Sequence, residues 1–185
     1  MMLNVQRYLM NNAPEKLTEE LGIHVKRHPR FPELLHLSYD QLESPKANPI
    51  VHECRGLILN EADNYAVVAF PFSRFANVGE EWAAPVDWTS VRVQDKVDGS
   101  LLILWYYNGE WNVSTKGSPD ASGNVGEYTF TFSELFWKTF EEYAYSITPA
   151  YTYMIELTSI YNRVVCQYKE TKLTLIGVRN VKEEG

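Results

Sequence analysis

A lysine, an aspartate and a glycine stand close together in the stretch Lys96-Val97-Asp98-Gly99-Ser100. Side chains alternate along an extended chain, so Lys96 and Asp98 are expected to point the same way, while Gly99 permits a close backbone approach or a positive φ. A lysine amine that is partly desolvated among other cations has a lowered pKa and becomes a nucleophile, as covalent lysine catalysis requires. The alternative is a surface lysine and aspartate that flank a turn.

A second acid, Glu156, interrupts an apolar run that resembles a strand. A carboxylate in a strand that belongs to a core needs a partner, because burying it alone is costly. A lysine, a metal ion or a sugar hydroxyl could be that partner. The alternative is a carboxylate at the end of a strand that faces water.

Three cations stand near the ends of strand-like segments: Arg55, Arg74 and Lys116. Arg55 lies between apolar flanks and precedes Gly56, which would let a ligand come close to the backbone. Taken singly, Arg55 fits a buried pair with an acid, and Arg74 and Lys116 fit ordinary solvated charges. Taken together, the three could form a cradle for phosphate.

The composition bounds the class of protein. The chain has 185 residues, of which 45% are hydrophobic and 22% charged, and this balance suits one globular domain with perhaps a small appendage. The net charge of -7 excludes a global positive field that would draw the protein to nucleic acid or membrane. Without an apolar run long enough to span a bilayer, and with Cys54 and Cys166 expected as small buried thiols, the sequence predicts a soluble cytoplasmic protein in a reducing compartment.

The elements that must position these residues are mainly strands. Gly22 is expected to cap an N-terminal helix in which Pro14 lies in the first turn. Residues 51–59 and 65–70 predict a first hairpin. Residues 100–107 and 111–116 predict a second hairpin, joined by Asn108-Gly109 in a type I′ turn, and residues 117–126 predict a loop.

The second half predicts one helix and three more strands. Thr131 and Glu134 have the spacing of a capping box, and Phe130 and Leu135 that of a hydrophobic staple. One apolar face of this helix is expected to pack on a sheet, and it comprises Phe132, Leu135, Phe136, Phe140 and Tyr143. Strands are expected over 151–157, 163–168 and 173–179. The fold class predicted is therefore α+β with mainly antiparallel sheets and flanking helices.

The motifs resemble one known family. The string KVDGSL at 96–101 is similar to the nucleotidyl-transfer motif of covalent nucleotidyltransferases, a group that includes DNA ligases, RNA ligases and mRNA capping enzymes. Four further segments look most like the phage-type RNA ligase 1 family and stand in its order: HECRGLIL, FSRFANVGE, VSTKGS, and YMIELTSIYNRVV followed by LIGVRN. The resemblance implies the nucleotidyltransferase fold of ligases and capping enzymes.

By this resemblance the chain is expected to be an ATP-dependent RNA ligase. Lys96 would attack the α-phosphate of ATP, and the adenylate would pass to an RNA 5′-phosphate before a 3′-hydroxyl, as in a broken tRNA, displaces AMP. The resemblance assigns nucleotide contacts to Arg55, Arg74, Asp98, Gly99, Lys116, Glu156 and Val178. It assigns Mg²⁺ or Mn²⁺ to Asp98 and Glu156, because such cations prefer hard oxygen ligands. Val178 would be an apolar wall against adenine.

The family pattern also contains segments that are incomplete in this sequence. An acidic-glycine strand and a lysine-rich strand follow in the family, and neither is complete before Gly185. Residues 1–185 are therefore expected to be the N-terminal portion of an adenylyltransferase domain, without the RNA-specificity domain, monomeric and weakly active or inactive alone. Two alternatives remain open: a DNA ligase or GTP-dependent capping enzyme, and a degenerate nucleotide-binding or RNA-binding module that performs no transfer.

Overall fold

Two four-stranded antiparallel sheets make up the fold. A computed structural model describes residues 2–140, 146–162 and 165–181. The first sheet has the order β1-β2-β3-β4, with β1 Ile23–Arg27, β2 Leu34–Tyr39, β3 Arg55–Asn60 and β4 Ala66–Ala69. The second has the order β6-β5-β7-β8, with β5 Ser100–Tyr107, β6 Glu110–Ser114, β7 Tyr151–Thr158 and β8 Lys172–Asn180. Both sheets agree with the α+β prediction.

The described residues also form four short α-helices: α1 Asn4–Leu9, α2 Glu15–Leu21, α3 Pro49–Glu53 and α4 Phe132–Phe140. Pro14 is the N-cap of α2, and Gly22 ends it in the left-handed conformation, as predicted. The capping box of α4 is confirmed, because the Thr131 N–H donates to Glu134 and the Glu134 N–H donates to the Thr131 hydroxyl. Tyr143, expected on the apolar face of α4, lies outside the described residues.

The pairing predicted for the first hairpin is confirmed, but its first strand begins later than predicted. β3 pairs with β4 as predicted, across a 3-10 turn at Glu61–Asp63. Val51, expected to begin the strand, lies instead in α3, because Asn48 caps a helix with Pro49 at its first position. This helix places Arg55 at the first residue of β3.

The second hairpin matches the prediction closely. Asn108 and Gly109 both have positive φ, of 50° and 82°, which is the geometry of a type I′ turn. β5 alternates between two cores, and for that reason almost all of its residues are apolar. Leu102 and Leu104 pack with α4, whereas Ile103 and Trp105 pack against the first sheet.

Two predictions near the C-terminal end of the chain are wrong. A strand was expected over 163–168, but residues 165–168 form an irregular connection between β7 and β8, and 163 and 164 lie outside the described residues. Cys166 lies in this connection and is exposed, so it is not the buried thiol expected. Cys54 is buried as predicted, and burial raises the pKa of its thiol. No helix among residues 2–140, 146–162 and 165–181 is long and apolar enough to span a membrane.

Candidate active site

The Lys96–Ser100 stretch forms the irregular entry into β5. Ser100 is the first residue of that strand, and Lys96 and Asp98 precede it without regular structure. The side chain of Lys96 is exposed, whereas Asp98 and Gly99 are half-buried. The expectation that the lysine amine is partly desolvated is therefore not met in this structure.

Gly99 is required by the packing of this entry against β7. A Cβ atom at Gly99 would lie 2.3 Å from the carbonyl oxygen of Leu157, a distance that no side chain tolerates. The Gly99 N–H donates to Oε1 of Glu156 at 3.0 Å. The glycine thus serves the close backbone approach that the sequence predicted, and it ties the lysine-bearing stretch to the acid.

Glu156 is the electrostatic centre of the site. Its side chain is buried, and burial raises the pKa of its carboxyl above 4.5. The Gly99 N–H and the positive charges of Lys96 and Arg55 oppose that rise, while the negative charge of Asp98 adds to it. Three predicted site residues, Lys96, Asp98 and Arg55, therefore lie within electrostatic reach of Glu156.

Asp98 has a partner that the sequence did not indicate. Its Oδ2 accepts hydrogen bonds from the N–H groups of Val165 and Cys166, at 2.7 and 3.0 Å. Asn162 adds a second tie, because its side-chain amide donates to the Ser100 hydroxyl at 2.7 Å. The connection between β7 and β8 is thus attached to the lysine-bearing stretch at two points.

The three predicted cations gather around two aromatic rings. The Lys116 Nζ lies 4.2 Å from the centroid of the Tyr39 ring, and the Arg74 guanidinium carbon lies 4.4 Å from the same centroid. The Arg55 guanidinium carbon lies 5.2 Å from the ring of Phe75. These contacts bring charges from distant parts of the chain together where the two sheets meet. Tyr39 carried no signal in the sequence, whereas Phe75 belongs to the FSRFANVGE segment.

Two guanidinium nitrogens in this group have no hydrogen-bond acceptor among the described residues. They are Nη1 of Arg55 and Nη1 of Arg74, and both atoms are buried. A buried donor left without an acceptor costs about 1–3 kcal/mol, more when it is charged. The arrangement therefore suits an anionic ligand that supplies acceptor oxygens, such as a phosphate.

Gly56, which follows Arg55, serves a different purpose from the one predicted. It has a φ of +90°, and a Cβ there would lie 3.2 Å from the Cα of Lys116 and 3.3 Å from the carbonyl oxygen of Thr115. The glycine admits the residues just after β6 rather than a ligand. His36 supports the same junction, because its Nε2 donates to the Thr115 carbonyl at 2.9 Å. Burial lowers the pKa of His36 to about 4 and keeps its ring neutral.

Val178 is the predicted site residue that the structure places elsewhere. It pairs with Tyr153, whose side chain packs with α4, and its own side chain is 48% exposed. Paired residues in an antiparallel ladder share a face, so Val178 lies on the α4 face of the sheet. Glu156 lies an odd number of residues from Tyr153 along β7 and therefore occupies the opposite face.

Asp98 and Glu156 are also the residues predicted to hold a divalent cation. No cluster of three or more metal-binding side chains occurs in the described parts of the chain. Each of the two carboxylates uses one oxygen for backbone N–H groups and leaves the other for a further contact. This donor set fits Mg²⁺, which commonly binds one or two carboxylates and completes its shell with water and phosphate oxygens.

Replacing Gly99 by alanine tests the packing of the site. The new methyl group would collide with the Leu157 carbonyl, so we expect the free energy of unfolding to fall by about 1–3 kcal/mol in a urea titration. Gly123→Ala is the matched control, because a Cβ at Gly123 meets nothing within 4 Å. Equal stability of the two variants would contradict the close approach of Gly99 to β7.

The geometry is that of a phosphate-binding site. Lys96, Asp98 and Arg55 act on the buried acid Glu156, while Arg74 and Lys116 share the ring of Tyr39. Such side chains are suited to a ligand that carries phosphate. A family model described as RNA ligase matches residues 53–184, which include all of these charged side chains. The chain belongs to this family, the phage-type RNA ligase 1 family.

Two relatives agree with this membership. A protein of Autographa californica nuclear polyhedrosis virus, named as a candidate bifunctional polynucleotide kinase/RNA ligase, is 35% identical over an alignment of 192 positions that covers 91% of this chain. A protein of Rhodothermus phage RM378 named RNA ligase is 33% identical over 175 residues, which cover 75% of this chain. The matches span 27% and 40% of the lengths of these two relatives.

Proposed function

We propose that the chain carries the lysine-adenylating site of an ATP-dependent RNA ligase. The observation that carries this proposal is the tie between Gly99 and Glu156, which holds Lys96 beside a buried acid and near Arg55. Membership of an RNA ligase family supplies the reaction class, and the cations around Tyr39 supply contacts for a triphosphate.

In the first step Lys96 is the nucleophile. Its uncharged Nζ attacks the α-phosphorus of ATP, a nitrogen–phosphorus bond forms, and the bond from that phosphorus to the β-phosphate bridging oxygen breaks. Pyrophosphate leaves with the bonding electrons, and the amine loses a proton to solvent. The products are AMP joined to Lys96 and free pyrophosphate. Catalysis of such a transfer consists mostly of positioning and of neutralising charge on the phosphates.

In the later steps the AMP group moves to RNA and then leaves. An oxygen of the RNA 5′-phosphate attacks the phosphorus of the lysine-bound AMP, and the nitrogen–phosphorus bond breaks, so that Lys96 regains its proton. The 3′-hydroxyl of the second RNA end then attacks the activated 5′-phosphate and releases AMP. Under this proposal the substrate is a broken RNA, such as a tRNA, with a phosphate at one 5′ end and a hydroxyl at the other 3′ end.

The remaining side chains bind and orient. Arg55 and Arg74 donate their unpaired Nη1 groups to phosphate oxygens, and Lys116 adds a third charge beside Tyr39. Asp98 and Glu156 would hold a hydrated Mg²⁺ or Mn²⁺, which neutralises phosphate charge when bound. We leave Val178 out of this set, because it lies on the other face of its sheet.

The test is incubation with ATP labelled either at the α-phosphate or at the γ-phosphate, with Mg²⁺ or Mn²⁺. The protein should be prepared both as this chain and with whatever sequence its gene encodes downstream. We expect an acid-labile protein adduct from the α-label alone. GTP as the better donor would point to a capping enzyme, and preferential sealing of nicked DNA to a DNA ligase. Nucleotide-induced stabilisation with no adduct in either preparation would point to a binding module.

A further inference from the structure

A cleft with aromatic walls lies beside the cation group. Residues 71–98 contain no helix or strand, and part of this segment folds over an open cleft of about 640 Å³. The lining includes four aromatic rings and one arginine, which are side chains that commonly bind nucleotides: His52, Arg74, Phe75, Trp82 and Trp88.

Trp82 is held in place by its neighbours. Its ring stacks on that of His52, with centroids 4.6 Å apart and planes inclined by 32°. The guanidinium carbon of Arg74 lies 5.8 Å from its centroid. An indole ring that is already packed loses little freedom when a flat ligand comes to lie on it.

Trp88, by contrast, is 72% exposed although it lines the same cleft. Val78, another lining residue, is 76% exposed. Large apolar side chains that face water around a concave surface commonly mark a binding site. Glu80, the acid on the cleft lining, accepts from the Asn77 N–H, and Asp87 accepts from Thr89 and Ser90.

The cleft adjoins the residues that surround Glu156 and Lys96. Arg74 is 9% exposed, lines the cleft, and has an unpaired Nη1. Phe75 also lines the cleft, and its ring lies under Arg55, whose charge acts on Glu156. A phosphate held at this boundary would therefore have the acid and lysine on one side and the aromatic cleft on the other.

We propose that this cleft is a stacking site for an unpaired nucleotide at the end of the RNA substrate, with the base against Trp88 and Trp82 and a phosphate toward Arg74. The assignment rests on the proposed ligase function, which requires an RNA phosphate to reach the adenylated lysine. Indole rings bind the face of any base, and a buried arginine without an acceptor binds phosphate oxygens. A nucleotide supplies both in one ligand, which favours RNA over an apolar protein segment.

Binding of RNA without ATP tests the cleft separately from the chemistry. The probe is a fluorescent single-stranded oligoribonucleotide with a 5′-phosphate, and the measurement is anisotropy. Stacking on an aromatic side chain contributes about 1–3 kcal/mol per base, so Trp88→Ala is expected to raise Kd by roughly 5- to 150-fold. Trp88→Phe is expected to restore most of the affinity, because it keeps a flat ring. Leu42→Ala is the matched surface control, since Leu42 is 90% exposed and does not line the cleft.

The result that overturns the proposal is an unchanged Kd in Trp88→Ala. It is also overturned if Trp88→Ala slows formation of the AMP adduct as much as it weakens RNA binding, because the cleft then serves the nucleotide or the fold. Tighter binding to an unphosphorylated peptide ligand than to RNA would replace RNA by a protein partner. Failure of the ligase proposal has a different signature, namely no adduct in the parent protein while RNA binding still depends on Trp88.

Discussion

A protein with Lys96 replaced by arginine is expected to form no AMP adduct, a loss on the order of 10³-fold or more in adenylation rate. Arginine keeps the positive charge that Lys96 exerts on Glu156, but its guanidinium remains protonated and cannot attack phosphorus. Because Lys96 is exposed, the substitution should leave stability unchanged. A loss of activity without a loss of stability separates a nucleophile from a structural charge.

Lys16→Arg is the matched control for this prediction. Lys16 is also exposed, and it lies on α2, where its amine is 4.0 Å from a carboxylate oxygen of Glu20. The control should form the adduct at the parental rate. An Lys96→Arg protein that retains a tenth or more of the parental rate would show that Lys96 is not the nucleophile.

The second large effect is expected from Glu156→Gln, which should lower activity and raise stability near pH 7. Glutamine retains an oxygen that accepts from the Gly99 N–H, but it lacks the charge that acts on Lys96 and Arg55 and that would bind the proposed divalent cation. Removing one charged group from the centre of a phosphate-transfer site costs on the order of 100-fold in rate or more. We therefore expect adduct formation to fall by at least that factor.

The stability of Glu156→Gln follows from the raised pKa of the native carboxyl. The pKa of this carboxyl is higher in the folded state than in the unfolded state, so the protonated group stabilises the fold. This contribution to stability is lost as the pH rises above 4.5, the ordinary pKa of a glutamate. The variant has no carboxylate to keep buried. It should therefore be more stable than the parent near pH 7, and this gain in stability should be smaller near pH 4.

Urea unfolding at these two pH values measures the difference. Glu19→Gln, at an exposed position of α2, is the control and should show no comparable gain at pH 7. A Glu156→Gln protein that is less stable than the parent at pH 7 would contradict the assignment of burial as the dominant cause of the raised pKa.

Local features of the fold were predictable because their causes lie within a few residues. The Asn108-Gly109 turn, the Thr131–Glu134 capping box and the Gly22 cap each depend on the preferences of neighbouring residues. The start of β3 was missed although its cause is just as local. Val51 has the character of a strand residue, but Asn48 and Pro49 begin a helix ahead of it.

The site was predictable in its residue types and less so in its contacts. Glu156 could be singled out because an acid inside an apolar strand must find a partner, and the Gly99 N–H is that partner. The approach of Gly56 to Lys116 could not be foreseen, since it joins β3 to a residue just after β6, 60 positions further along the chain. The same holds for Asp98, whose hydrogen bonds reach Val165 and Cys166 in a connection that had been expected to form a strand.

The most direct test of the account is to map the position of AMP on the ATP-treated protein by mass spectrometry of its peptides. The account predicts one AMP group, in acid-labile linkage, on the peptide that contains Lys96, and its release when pyrophosphate is added. The preparation should be the full-length protein that the gene encodes. AMP on any other residue, or no AMP under conditions in which the preparation seals RNA, would contradict the assignment of Lys96 as the nucleophile.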